Sequence, residues 1–166
     1  MSMALRPARA EDAAAIDALL RAAFGGEAEA RLVGLLRAEG AVVAELVAEQ
    51  AGVILGQVMF TWAPVGAARV AALAPLAVAE VARRQGTGAA LVREGLARCA
   101  AAGATAAHVL GEPAYYGRFG FRAAQGITGA PWCGHPAFQV LTLVPDAPPP
   151  QGEVRYAQAF AALGDA

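Results

Sequence analysis

The segment Arg83-Arg84-Gln85-Gly86-Thr87-Gly88 separates an apolar run from a helical pattern, and its residue types suit the binding of an anion. Glycine at 86 and 88 lets backbone come close to a phosphate. The first turn of the following helix has N–H groups without partners, and the helix dipole favours negative charge there. Arg83 and Arg84 add two formal positive charges. The same glycines would also serve a tight strand-to-helix turn with no ligand. A dinucleotide fold wants G-x-G-x-x-G and an acid about 20 residues on, but the third position here is Leu91 and residues 105–111 hold no acid. A nucleotide P-loop wants Lys-Ser/Thr, and the chain contains no lysine. The remaining candidates are scattered. His108 lies in an apolar run, where a satisfied core histidine is expected, and His135 lies in a loop beside Trp132 and Cys133. No His/Asp constellation stands at a readable spacing from Cys133 to make it a nucleophile. Aromatic residues are only 7% of the chain, so the adjacent Tyr115-Tyr116 pair stands out.

The elements that must position these residues are legible from hydrophobic period. Residues 3–8 read as a short strand. Ala10-Glu11-Asp12 opens a helical pattern with Ile16, Leu19, Leu20, Ala23 and Phe24 on one face, stopped by Gly25-Gly26. A second helix is predicted over Glu27–Glu39, with Gly40 as its stop. Two runs rich in Val, Ile, Phe and Trp, Ala41–Glu49 and Val53–Trp62, flank Gln50-Ala51-Gly52 and read as an antiparallel hairpin. A strand at Arg69–Ala79, a helix from the glycine turn to about Ala102, and a strand at Thr105–Leu110 form one crossover unit, which joins parallel strands. Pro113–Arg118 reads as a short helix, Phe121–Ala123 as a short strand, Gly126–Ala137 as a loop and Phe138–Val144 as the last long strand. Pro148-Pro149-Pro150 is a rigid spacer, and Val154–Leu163 is expected to pack back on the rest.

The 166 residues suffice for one compact domain and are too few for two ordinary ones. With 57% hydrophobic and 16% charged residues, the chain is not of the disordered class. Thirteen basic and 14 acidic residues give a net charge of -1, and no Arg run forms a polyelectrolyte patch, so nucleic acid is not an expected partner. Apolar stretches are broken well before about 18 residues, so no membrane span is expected. Two cysteines, Cys99 and Cys133, make no disulfide framework. With no signal-peptide pattern at the N-terminus, this reads as a cytoplasmic protein.

Taken together, two segments resemble the GNAT N-acetyltransferases. Leu73–Val78 followed by Arg83-Arg84-Gln85-Gly86-Thr87-Gly88-Ala89-Ala90 is similar to the family's Arg/Gln-x-x-Gly-x-Gly/Ala signature after a strand, with Arg83, Gly86 and Gly88 at the marked positions. Gly111-Glu112-Pro113-Ala114-Tyr115-Tyr116-Gly117-Arg118-Phe119-Gly120-Phe121 resembles the second half of the cofactor site, and its form is that of the YhbS-like branch. The resemblance is strong over about 69–123. It implies an α+β fold: a mixed, mainly antiparallel sheet of six or seven strands, helices on both faces, and one central parallel pair that splays apart. It also implies acetyl-CoA as cosubstrate and no metal. The pantetheine arm would bond backbone near Leu76 and Val78, and the pyrophosphate would sit on the amides of Arg84, Gln85, Gly86, Thr87, Gly88 and Ala89. Tyr116 would stand near the thioester sulfur and protonate the departing thiolate.

The chemistry of acyl transfer fits these residue types. An amine attacking a thioester needs orientation, an oxyanion partner, loss of a proton from nitrogen and gain of one at sulfur. Tyr116 is read as that acid or as a packing aromatic, and Tyr115, Phe119 and Phe121 as core. No acid lies in the strand Arg69–Ala79 to serve as base, and Glu80 falls at its solvent-facing exit. Glu112 is read either as a contact to acceptor, water or base, or as a cap for the Pro113 helix. The expected function is transfer of an acetyl group to a primary amine of a small molecule or protein. The alternative is a non-catalytic acyl-CoA-binding or sensor module. The sequence leaves the assembly state open, a homodimer included.

Overall fold

The computed structural model describes residues 2–162. Strand β1 (Ala4–Pro7) leads through a 3-10 turn, Ala10–Asp12, into helix α1 (Ala13–Phe24), so Ala10-Glu11-Asp12 precedes the α-helix instead of forming its first turn. Asp12 explains this. Its carboxylate takes the guanidinium of Arg6 on β1 at 2.7 and 3.0 Å and the amide of Arg9 at 2.7 Å, which fixes the strand-to-helix corner. Those bonds, Arg6 first, hold the carboxyl at about 2, below the usual carboxylate range. Helix α1 buries Ile16, Leu19 and Leu20, spaced three and four apart as a single face requires, and α2 (Ala28–Glu39) buries Leu32, Val33 and Leu36. Each ends at a left-handed glycine, Gly25 and Gly40.

Strands β2 (Val42–Gln50) and β3 (Val53–Trp62) form the expected hairpin, turning through Ala51 and Gly52 at φ 53° and 81°. Strand β4 (Val70–Val78) carries Pro75 in its middle. Proline has no N–H for a ladder, and the β3–β4 register slips there: Val58 faces Leu76 while Phe60 faces Leu73. Helix α3 (Thr87–Ala101) crosses back to β5 (Ala106–Leu110), followed by α4 (Pro113–Tyr116), β6 (Arg122–Ala123), β7 (Ile127–Thr128), β8 (Phe138–Thr142) and β9 (Gly152–Glu153). The seven-stranded sheet runs β1-β2-β3-β4-β5-β8-β6, and β4–β5 is its one parallel pair among the described residues. Outside it, β7 and β9 make a small parallel pair that hydrophobic period did not reveal, because two-residue strands have no period.

Helices α1 and α2 cover one face of the sheet around Met59 and Val47, and α3 covers the other around Phe60, Leu91 and Val92. Two glycines let α3 lie close. A Cβ at Gly95 would collide with the Phe60 ring, and one at Gly56 would meet Leu91 Cδ1 at 2.9 Å and Thr87 Cγ2 at 3.3 Å. The first turn of α3 is thereby seated on β3, beside the far end of β4. The tail packs back as expected: the Glu39 carboxylate accepts the amides of Gln158 and Ala159 at 2.8 and 2.9 Å, and Ala159 packs against α1 and α2. Leu163, the end of the expected tail, lies outside the described residues.

Candidate active site

The parallel ladder holds only Val70 to Ala106, Ala71 to Ala107 and Ala72 to His108. Beyond Ala72, β4 stays paired to β3 while β5 stays paired to β8, so the two strands part and residues 73–78 face a gap. Backbone polar groups along such an edge need partners, and an extended ligand arm carrying amides would supply them. Leu76 and Val78 both stand on this stretch. One contact there was not anticipated: Arg83 Nε donates to the Val78 carbonyl at 3.1 Å.

At the end of the gap, Arg83, Arg84, Gly86, Thr87, Gly88 and Ala89 line a cleft of about 200 Å³ with Tyr115 and Arg118. Arg84 and Gly86 hold left-handed conformations, φ 65° and 81°. The first helical bond of α3 runs from Ala90 N to Gly86 O at 3.0 Å. The amides of Thr87, Gly88 and Ala89 therefore precede it and are unclaimed by the helix. This concave set of N–H groups, at the positive end of a helix dipole, fits a pyrophosphate. Gly88 keeps the cleft open, since a Cβ there would meet the Tyr115 hydroxyl at 2.8 Å. Gln85 turns aside, its amide donating to Val81 O at 3.3 Å. Sequence reasoning missed Arg118, which stacks over the Tyr115 ring at 4.5 Å and brings a third cation to the cleft.

At the other end of the gap lies a chamber of about 440 Å³. Leu73, Pro75 and Leu76 of β4 form one wall, and His108 and Leu110 of β5 form another with Tyr116. Three separate segments close it: Phe24 and Glu29 at the α1–α2 junction, Trp132 from the loop, and Tyr156 with Phe160 from the tail. Trp132 Nε1 donates to the Tyr156 hydroxyl at 3.1 Å, tying loop to tail. The sequence showed an aromatic inside a Gly/Pro loop and a tail that packs back, yet no local pattern assigned either to a site.

Tyr116 reaches the chamber because of what precedes it. Gly111 ends β5 and has no side chain, and a Cβ there would lie 2.6 Å from Tyr116 Cε2. Buried Gln139 fixes that corner by donating to the carbonyls of Gly111 and Ala137, both at 3.2 Å. Pro113 then starts α4, and Glu112 caps it, its carboxylate accepting the Ala114 amide at 3.4 Å. Glu112 is exposed and does not line the chamber. The Tyr116 ring packs edge-on against Tyr115 and Phe121, while its hydroxyl has no hydrogen-bond partner among the described residues. Burial, then the neighbouring Tyr115, pushes its pKa up to about 12. The phenol is therefore a neutral donor throughout the physiological range. Outside the chamber, burial in the α3 core likewise raises the Cys99 thiol, to about 12.

His108 is buried as expected, but only half satisfied. Nε2 lies 3.1 Å from the Ala63 carbonyl, which makes it the protonated nitrogen, while Nδ1 has no partner among the described residues. Its ring packs against Phe138 and Tyr156. Burial pulls its pKa down to about 4. His135 caps its own loop, Nδ1 accepting the Ala137 amide at 3.0 Å, and Cys133 is a half-buried free thiol packed beside Trp132. Among the described residues, no cluster of His, Cys, Asp and Glu could hold a metal. No helix there is long and apolar enough to cross a membrane.

A splayed parallel pair, a glycine-lined helix start at one end and a tyrosine-bearing chamber at the other define an acyltransferase architecture, and known proteins share it. The acetyltransferase (GNAT) family profile matches residues 13–121, and the chain belongs to that family. It is 43% identical over 141 residues to YhbS of Escherichia coli (strain K12), an uncharacterised N-acetyltransferase, covering 82% of this chain and 84% of the relative. The crystal structure of Escherichia coli YhbS in complex with CoA superposes with a TM-score of 0.89 at 38% identity, over 96% of this chain and 92% of that one. A GNAT family acetyltransferase from Brucella melitensis in complex with acetyl-CoA gives 0.81 at 37% identity, over 96% and 98%.

Proposed function

We propose that this protein transfers an acetyl group from acetyl-CoA to a primary amine by direct attack. The observation that carries the reading is the unpartnered Tyr116 hydroxyl, in a chamber at the point where β4 and β5 part. The CoA and acetyl-CoA complexes of the two similar structures support the cosubstrate. The N–H groups of 87–89 and the arginines 83, 84 and 118 hold the pyrophosphate, and the edge of β4 at Leu76 and Val78, where an arriving arm would compete with Arg83 for the Val78 carbonyl, orients the arm. Acetyl-CoA supplies the activated carbonyl. An ammonium first gives up one proton to solvent. The neutral nitrogen then attacks, the C–N bond forms, the C–S bond breaks, nitrogen loses a second proton, sulfur gains one from Tyr116, and the phenolate takes a proton back from solvent. The net change is one acetamide, one thiol and one proton released. Glu112 acts through α4 by holding Tyr116 in place, and a chamber water takes the proton from nitrogen.

Steady-state release of CoA thiol from acetyl-CoA, with and without primary amines, tests the reading. Amine-dependent release with acetylated product is expected. Binding of acetyl-CoA with no release for any amine would establish the alternative, an acyl-CoA-binding module.

A further inference from the structure

The composition of the chamber limits what can enter it. Among the described residues Glu29 is the one lining residue with a formal charge: burial keeps His108 neutral, and the two tyrosines are neutral phenols whose pKa burial raises further. Glu29 is half-buried on the first turn of α2, and no ion pair or hydrogen bond among the described residues engages it. The arginines with described ion pairs spend them elsewhere: Arg6 on Asp12 and Glu49, Arg21 on Asp17 and Glu27, Arg37 on Glu45, and Arg98 on Glu94. Among the described residues the lining contains no Arg, so no cation there answers a carboxylate or phosphate on the acceptor, and only neutral donors such as the Tyr116 hydroxyl remain. The rest is aromatic and aliphatic. Phe24 and Leu110 leave 45% and 48% of their surface exposed, an apolar area that an incoming ring would cover. Trp132 and Tyr156 stand edge to face within 5.5 Å, and Phe160 lies 5.1 Å from Tyr156.

We infer that the acceptor is an aromatic or bulky apolar primary monoamine without a carboxylate, its ammonium held by Glu29 and its ring lodged among Phe24, Trp132, Tyr156 and Phe160. This specificity rests on the acyl-transfer reading above. A volume of about 440 Å³ is in the range of small-molecule pockets. A carboxylate beside aromatic faces is complementary to a cation on an apolar stem. An α-amino acid carries a carboxylate next to its ammonium, which would be desolvated without a cationic partner and repelled by Glu29. Nδ1 of His108 is a buried acceptor in the same wall that a water or a ligand N–H would satisfy.

The test uses the full chain with 2-phenylethylamine and phenylalanine as matched acceptors, and Glu29→Gln and Glu29→Asp variants. Wild type should use 2-phenylethylamine with kcat/KM at least roughly a hundredfold above phenylalanine, the penalty of an unpaired buried charge. Glu29→Gln should raise KM for 2-phenylethylamine roughly ten- to hundredfold with kcat little changed, and Glu29→Asp should recover part of the loss. Calorimetry of 2-phenylethylamine against the protein saturated with CoA gives a readout free of turnover, with the same ranking of variants. Equal use of phenylalanine, or a Glu29→Gln variant with unchanged KM and unchanged amine affinity, overturns the inference. Acetyl transfer to a lysine-containing peptide but not to 2-phenylethylamine also overturns it, while leaving acyl transfer standing. Glu29-dependent binding of 2-phenylethylamine with no thiol release supports the amine class and removes acyl transfer.

Discussion

Acid should destabilise this protein through His108. His108 is neutral in the folded chain because burial opposes its charge, and its pKa falls from 6.5 to about 4. Below 6.5 the unfolded imidazole takes up a proton that the folded one refuses. Stability is therefore whole above that pH and is lost as pH drops through the window to about 4. At ~1.4 kcal/mol per pKa unit, the full effect is roughly 3 kcal/mol, and about 2 kcal/mol of it falls between about pH 7 and about pH 4.5. Asp12 is shifted in the same direction, from 3.8 down to about 2, so its contribution is also lost as pH falls, but only below the His108 window, and the two windows do not overlap. The perturbation is His108→Leu, which gives up the bond to Ala63 but cannot titrate. Urea unfolding of wild type and variant at about pH 7 and about pH 4.5 separates the residue from other groups that respond to acid. Wild type should lose about 2 kcal/mol more than the variant over that step. Parallel losses would refute the argument that His108 is held neutral by burial. The result bears on function, because an imidazolium in the chamber wall would repel the ammonium of an acceptor.

Two further substitutions probe the cradle and the cap. Gly86→Val places a β-branched residue at φ 81°, and Gly88→Val fills the cleft against Tyr115. Each should abolish CoA binding by calorimetry while the fold persists, the Gly86 change costing about 1–2 kcal/mol in stability. Undiminished affinity in both would reject the pyrophosphate site. Glu112→Ala should remove about 1 kcal/mol of capping and lower kcat by less than about tenfold, and Glu112→Ser, which can cap, should recover it. Failure of serine to recover activity would return Glu112 to a direct role in proton transfer.

Much of this fold is legible where a segment is long enough to show a period. Helices α1 to α3 declare themselves by buried residues three and four apart with glycine stops, and the β2–β3 hairpin by its apolar runs around Ala51-Gly52. The splay of β4 from β5 is not written in period. It follows from Pro75, the β3 register slip and the different partners of the two strands. Of the site, the contiguous parts were readable: the glycine turn and the Gly111–Tyr116 corner. The chamber was not, because Glu29, Trp132 and Tyr156 come from three distant segments that meet only in the folded chain. Gln139 gave no signal either, being one polar residue in an apolar strand until its two carbonyl partners are seen.

The most direct test of the account is Tyr116→Phe, which removes the hydroxyl and keeps the ring that packs on Gly111 and Phe121. The measurement is turnover of acetyl-CoA with the amine acceptor, paired with the acetyl-CoA dissociation constant. Loss of a general acid predicts a fall in kcat of about 10²–10⁴-fold with acetyl-CoA affinity nearly unchanged. Because burial holds the Tyr116 phenol at about 12, the wild-type rate should rise along a single limb as the acceptor deprotonates, with no descending limb below about pH 10. Full turnover by Tyr116→Phe with the same acceptor would contradict the account and make Tyr116 a packing residue at the edge of the chamber.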